Sequence, residues 1–307
     1  MQYVVSGGAG FIGSHLSEAL VESGHHVTII DDLSSGRLEY IQPLLPNPRV
    51  TFIQDSVQNI ASLTDHCSGV DGIFHQAAMV SVPGSIEHPR ESHEITLTGT
   101  LNVLLAARDC GVKKVVHASS AAVYGNLPGL PKREGMPVDP LSPYAVAKYA
   151  GEQYCRVFSE LYGVNTASLR YFNVYGPRQD PSSEYAAVIP RFIARIKAGE
   201  APMIFGDGTQ TRDFVYVKDV VKANIQVMEA ESQGVFNIAS GRETSVNDLA
   251  NTLLDLFDLK FEPLYCHERS GEVKRSVADI SRATQAFGFH PLFSLKEGLS
   301  ETILGTS

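Results

Sequence analysis

The chain has 307 residues, 43% hydrophobic and 19% charged, which is the composition of an ordinary globular protein with one large domain or two coupled ones. A disulfide-stapled miniprotein and a disordered chain are excluded, and no run nears the ~18 apolar residues that span a bilayer. With 25 Lys and Arg against 34 Asp and Glu, the formal net charge is -9. No bulk basic field exists to hold a nucleic-acid backbone, so any anionic ligand must be held by local groups.

In chain order, Met1-Gln2-Tyr3-Val4-Val5 lacks a basic leader segment and runs straight into a glycine cluster, which predicts a first strand and not a signal peptide. Short β-branched runs at 3–6, 27–30, 51–53, 72–75 and 115–118 alternate with segments of helical period, one opening after Gly10 and one reaching Ala107. Such alternation predicts an α/β fold, a doubly wound parallel sheet of Rossmann type covered on both faces. A helix over 144–162 and a strand over 166–170 follow. From Tyr175 onward glycine, proline and charge become frequent, and the apolar runs shorten to 214–217 and 235–238. Residues 1–174 are therefore expected to form a dinucleotide-binding domain. Residues 175–307 are expected to form mostly a smaller α/β substrate-binding region, with some strands returning to the main sheet. Cys67, Cys110, Cys155 and Cys266 are scattered and make no CxxC, and the ten histidines show no metal-ligand spacing. This argues against a metal site or disulfide framework and fits a reducing, cytoplasmic compartment.

Gly7, Gly10 and Gly13, with Phe11 and Ile12 between the last two, follow the first strand and open the first helix. Glycines at such a turn let a pyrophosphate approach amide groups where the helix dipole favours negative charge. About twenty residues on, Asp31-Asp32 ends the next strand. A carboxylate there accepts from ribose hydroxyls and repels a 2′-phosphate, which favours NAD with Asp31 as the ribose ligand. A solvated turn is the alternative for both aspartates, and Arg37 keeps NADP open.

Tyr144 and Lys148 project one turn apart on one face of a helix. An ammonium beside a phenol lowers its pKa and makes it usable as a base. The strand 115–118 ends in Ser119-Ser120, which supplies a hydroxyl to orient a reacting alcohol.

With these residues in view, the sequence resembles the extended short-chain dehydrogenase/reductase family, and within it the nucleotide-sugar 4-epimerases. The resemblance covers nearly the whole chain and rests on GGAGFIG at 7–13, FHQAA at 74–78, SSAAVYG at 119–125, YAVAK at 144–148, LRYFNVYGPRQ at 169–179 and FGDGTQTRDFVYV at 205–217. It implies that Ser120, Tyr144 and Lys148 are catalytic, with Lys148 also on the nicotinamide ribose. Asp55 with Ser56 would contact adenine, Gln76, Ala77 and Ala78 the ribose-phosphate side, and Tyr171 the nicotinamide end. Related dehydratases and decarboxylases carry acids after the serine, where this chain has Ala121-Ala122; alanine supplies neither acid nor base for elimination, which favours epimerisation. Thr96 stands where many relatives carry asparagine, putting one cofactor-side contact in doubt. A homodimer through two helices, one carrying Tyr144, is also implied.

The sugar nucleotide needs cations in an acidic protein. Asn173, Arg212 and Arg269 resemble the family's diphosphate clamp, and guanidinium suits it because its planar donors grip phosphate oxygens in pairs. Val188, Ile204 and Phe205 would enclose uracil, with core packing as the alternative. Ser81, just past the fourth strand, is a candidate sugar contact. Ser276 aligns with a tyrosine of epimerases restricted to glucose and galactose, and a small residue there leaves room for a 2-acetamido group. Expected substrates are UDP-GlcNAc/UDP-GalNAc and/or UDP-Glc/UDP-Gal. The rivals are a UDP-glucuronate 4-epimerase, which should show a further cation near the hexose, and a silent dinucleotide-binding regulator.

Overall fold

Side-chain alternation along the first strand already sets the layers: Tyr3 and Val5 join one core cluster and Val4 another, because successive residues of a strand face opposite ways. The computed structural model describes residues 1–180, 187–268 and 273–305. Its strands are β1 (Gln2–Ser6), β2 (His26–Ile30), β3 (Val50–Ile53), β4 (Gly72–His75), β5 (Lys114–Ser120), β6 (Asn165–Tyr171), β7 (Asn173–Tyr175), β8 (Met203–Phe205), β9 (Thr211–Arg212), β10 (Phe214–Tyr216), β11 (Gly234–Ile238), β12 (Thr244–Ser245) and β13 (Leu264–Cys266). Helices α1 (Phe11–Glu22), α2 (Leu38–Ile41), α3 (Ile60–Cys67), α4 (Val82–Glu87), α5 (Pro89–Ser92), α6 (Gly99–Asp109), α7 (Pro143–Tyr162), α8 (Val188–Lys197), α9 (Val217–Glu229), α10 (Val246–Leu256), α11 (Ser281–Phe287) and α12 (Leu295–Gly305) connect them.

Seven strands make one sheet in the order β11-β6-β5-β4-β1-β2-β3, parallel throughout. This is a doubly wound Rossmann sheet. Side chains of α1 and α9 fill the core on one face, and those of α3, α6 and α7 fill the other. The strand order reverses between β1 and β4, where Ser6 pairs with His75. Ligands of open parallel sheets bind beyond the carboxyl ends at such a switch point.

The helical period over 144–162 corresponds to α7, which starts at Pro143. Ser142 caps it, its hydroxyl accepting from the Ala145 N–H at 3.2 Å, and proline needs no N–H partner at the first helical position. The apolar run 214–217 splits, with β10 pairing β7 for three residues and Val217 opening α9. Strand β11 returns to the main sheet beside β6. Helices α9 and α11 also pack on the main sheet, and most other elements beyond Tyr175 gather around a separate core of Phe192, Ile193, Ile204, Phe214, Leu249 and Leu299, with short strand pairs β7–β10, β8–β13 and β9–β12. None of the described helices is long and apolar enough to cross a membrane.

Candidate active site

The glycine turn sits on the switch point. Gly7 has φ +70, and a Cβ there would lie 2.6 Å from the Ala77 nitrogen; at Gly13 it would lie 2.0 Å from the Gly7 carbonyl oxygen. Both positions must be glycine for β1, β4 and α1 to converge. Helix α1 opens at Gly10 with no side-chain cap and no acidic residue in its first turn. The amides of Phe11, Ile12 and Gly13 are thus left to a ligand, and with the dipole they suit a pyrophosphate.

Asp31 is buried at the end of β2, its carboxylate accepting from the Ala9 and Leu33 N–H groups, each at 2.9 Å. Burial pushes its pKa above the ordinary carboxylate value, and those bonds pull against it. Asp32 is exposed, and one of its oxygens accepts from the Ser34 N–H and hydroxyl, which is the solvated-turn alternative. Arg37 donates to Asp180 at 2.8 Å, across 143 positions of sequence. Asp55 is held below the ordinary range, first by a hydrogen bond from Ser62 and then by the Ser56 N–H. Gln76 donates to Asn224 at 3.1 Å and to Tyr171 at 3.2 Å. Tyr171 is buried, and its hydroxyl donates to Asn224 at 2.9 Å.

Ser120 ends β5 and its hydroxyl accepts from the Ala122 N–H at 3.2 Å. Lys148 is 3% exposed. Its Nζ donates to the Ala118 carbonyl at 2.6 Å and lies 5.8 Å from the Tyr144 ring centroid. Burial drives Lys148 down to about 7 and pushes Tyr144 up, while a hydrogen bond with Ser120 lowers it. At Tyr144 the loss of water outweighs the Ser120 hydrogen bond, so the expected depression of the phenol by the ammonium is not what sets its direction here. With the Ala118 carbonyl as acceptor for one N–H, the Lys148 ammonium has donors left for a ligand such as the nicotinamide ribose of NAD. His75 is a satisfied core residue, bonded to Ser6 at 2.7 Å and Thr100 at 3.0 Å. Thr96 accepts from the Met79 N–H at 3.2 Å, so the residue in place of asparagine still ties down the loop after β4.

A separate cavity of about 230 Å³ is lined by Asn173, Val188, Ile204, Phe205 and Arg212, five of the residues expected to bind the sugar nucleotide. Arg212 donates to the Thr211 and Val273 carbonyls at 2.8 and 2.7 Å. Ser276 is half-buried and lies outside that lining. Ser81 caps α4, its hydroxyl accepting from the Gly84 N–H at 2.9 Å. Arg269 lies outside the described residues. Sequence reading did not single out Arg191, which lines the cavity and has its guanidinium 5.8 Å from the Phe205 centroid. It also missed Ser85, whose buried hydroxyl accepts from the Tyr144 N–H at 3.2 Å and fixes the start of α7. Neither carries a sequence signal, since both depend on contacts between distant segments. Among the described residues, no group of three or more His, Cys, Asp or Glu could hold a metal ion.

Comparison with known proteins agrees with this geometry. Residues 3–239 match the model of the NAD-dependent epimerase/dehydratase family. A UDP-N-acetylglucosamine 4-epimerase of Methanobrevibacter ruminantium, solved with UDP-N-acetylmuramic acid, is 42% identical with a TM-score of 0.96, over 99% of this chain and 97% of that one. A UDP-glucose 4-epimerase of Thermotoga maritima, solved with UDP-glucose, is 39% identical with a TM-score of 0.94, over 100% and 98%. The UDP-glucose 4-epimerase of Mycolicibacterium smegmatis is 39% identical over 307 residues, 99% of this chain and 97% of that one. A glycine turn at the switch point, a buried lysine beside a tyrosine and these full-length likenesses have one explanation: the chain belongs to the NAD-dependent epimerase/dehydratase family.

Proposed function

We propose that the protein is an NAD-dependent UDP-hexose 4-epimerase that inverts C4 through a 4-keto sugar. The observation that carries this reading is the convergence of Ser120, Tyr144 and Lys148 at the carboxyl end of β5, in the same sheet that carries the glycine turn, with Ala121-Ala122 where elimination would need an acid and a base. NAD, held by the glycine turn, Asp31 and Lys148, would supply the oxidation at C4 and its reversal. Tyr144 takes the proton of the 4′-hydroxyl and later returns it. Ser120 hydrogen-bonds the same oxygen, and Lys148 holds the cofactor ribose while its charge favours the phenolate. Asn173, Arg212 and Arg269 hold the diphosphate, so the keto sugar turns about a fixed anchor and presents its other face. Val188, Ile204 and Phe205 enclose the uracil. Asp31, with Gln76, Ala77 and Ala78, serves the cofactor. Asp55 with Ser56 serves its adenine end.

Both UDP-glucose and UDP-N-acetylglucosamine are proposed substrates, with Ser276 supplying the room for the acetamido group. Exposed Val146, Tyr154, Leu161 and Tyr162, all on α7, support a homodimer through that helix, and four free cysteines support a cytoplasmic setting. The test is to incubate the protein, without added NAD, with each UDP-sugar and follow the anomeric protons by NMR. Conversion of the acetamido sugar to its C4 epimer is expected. Conversion of UDP-glucose alone would refute the role given to Ser276, and no conversion even with NAD would refute the epimerase reading.

A further inference from the structure

Behind the catalytic cluster lies a buried ion pair that the epimerisation chemistry does not touch. Arg170, on β6, donates from Nε and Nη2 to the two carboxylate oxygens of Glu152, on α7, at 2.8 and 2.7 Å, and their side chains are 4% and 0% exposed. The same carboxylate accepts from the hydroxyl of Ser119, the residue before Ser120. The guanidinium lies 4.7 Å from the ring centroid of Tyr124, the last residue of the turn Ala121–Tyr124 that Ser120 caps. The Tyr124 hydroxyl donates to Asn237, on β11, at 2.7 Å. One carboxylate–guanidinium pair therefore ties together β5, β6, β11, α7 and the turn that follows Ser120.

Stability alone does not account for it. Removing two charges from water is costly, and a well-packed apolar pair of similar volume is often as stable or more so. Its place in the helix is more informative. Glu152 follows Lys148 by four residues and Tyr144 by eight, about 6 and 12 Å along the axis and about 40° and 80° around it. A lone carboxylate there would oppose formation of a phenolate at Tyr144. Three of the other titratable groups around the pair are neutral: burial pushes the Cys155 thiol up to about 12, keeps His117 unprotonated and raises the Tyr124 phenol. Glu134 stands further out, accepting from the Asn237 N–H at 2.8 Å, and Lys148 is the neighbouring amine.

We propose that Glu152 and Arg170 are positioning residues for the epimerisation: through Ser119 the pair fixes Ser120 against Tyr144, and the guanidinium cancels the carboxylate charge that would otherwise face the base. This rests on the reading of Ser120, Tyr144 and Lys148 as the catalytic groups.

The test measures kcat, KM and the pH profile of kcat/KM with the UDP-sugar that the wild-type holoenzyme converts. The acid limb of that profile reports the base, which acts deprotonated. Glu152→Gln leaves a bare cation and is expected to move the limb to lower pH by roughly one unit. Arg170→Gln leaves a bare carboxylate and moves it to higher pH, and the double variant E152Q/R170Q returns it to the wild-type position. Ser119→Ala changes no charge. It is expected to lower kcat roughly tenfold with KM within about twofold and the limb unmoved. Displacement of both single variants in the same direction, or in neither, overturns the electrostatic role, and wild-type kcat in Ser119→Ala overturns the positioning role. If the single-charge variants do not fold, the kcat of Ser119→Ala still decides the positioning role, and an acid limb in the double variant that departs from the wild-type position overturns the charge cancellation. Absence of turnover by the wild type with any UDP-hexose is a different result and overturns the epimerase reading itself.

Discussion

Ser120, Tyr144 and Lys148 stand on a seven-residue strand in the sheet and on a 20-residue helix, whereas Asn173, Ile204, Phe205 and Arg212 stand on strands of two or three residues paired two by two. The first group is fixed by parallel pairing on both sides and by a buried ion pair beneath it. The second lines a cavity whose walls come from separate short segments. Proton transfer fails when a group moves by a fraction of an ångström, so it belongs on rigid elements. Recognition of a nucleotide is spread over many contacts and survives change at each, so it belongs on loops. Substitutions in the first region should therefore act on kcat, and substitutions in the second on KM.

The largest expected effect is that of Tyr144→Phe, which loses the base and should lower turnover by about 10³-fold or more while bound NAD, read by absorbance, is retained. Near wild-type activity would break the comparison at its centre.

Acid stability comes next, because the two regions titrate in opposite senses. In the sheet, burial pushes His75 down to about 3 and His117 well below 6.5. Each contributes stability that is present above the unfolded value of 6.5 and is lost as pH falls toward the folded value. In the covering region, burial raises Asp213 to about 6 against the hydrogen bonds from Ser240, Ala278 and Gly241. Its contribution is present below the unfolded value of 3.8 and is lost as pH rises through about 6. His117 has a buried Nε2 without a partner. His117→Leu should flatten the fall in stability below pH 6.5, measured by urea unfolding, and an unchanged pH dependence would show that His117 is not held neutral.

Arg212→Gln tests the second region. It should raise KM for the UDP-sugar roughly tenfold with kcat changed less than about twofold; an equal fall in kcat would place Arg212 with the catalytic cluster. The smallest effect sharpens the cofactor end. Asp32→Asn should leave NAD retention within about twofold, since its carboxylate faces solvent and serves Ser34, whereas Asp31→Asn disturbs the bonds from Ala9 and Leu33 and should weaken retention clearly more.

Much of the sheet was legible in the chain because both faces of its strands are buried, so each strand reads as a compact apolar run between turn residues. The glycine turn was legible for a related reason: backbone crowding at Gly7 and Gly13 leaves no alternative residue. The covering region was less legible. Its strands are too short to show a period, and the run 214–217 divided between β10 and α9. The roles of Ser85 and Arg191 left no local trace, since each becomes functional only beside a segment that lies far away in sequence.

By itself, then, the sequence determined the strand and helix alternation, the glycine turn and the Tyr144–Lys148 spacing, all of which follow from local backbone geometry and the period of burial. Tertiary structure decided the rest. It committed the Tyr171 hydroxyl to Asn224, left Asp32 in solvent while burying Asp31, brought Arg212 to one cavity with Phe205, and set Glu152 and Arg170 beneath Ser119. Those outcomes depend on which distant surfaces exclude water from which polar groups, and burial of that kind is a property of the packed chain that no local segment carries.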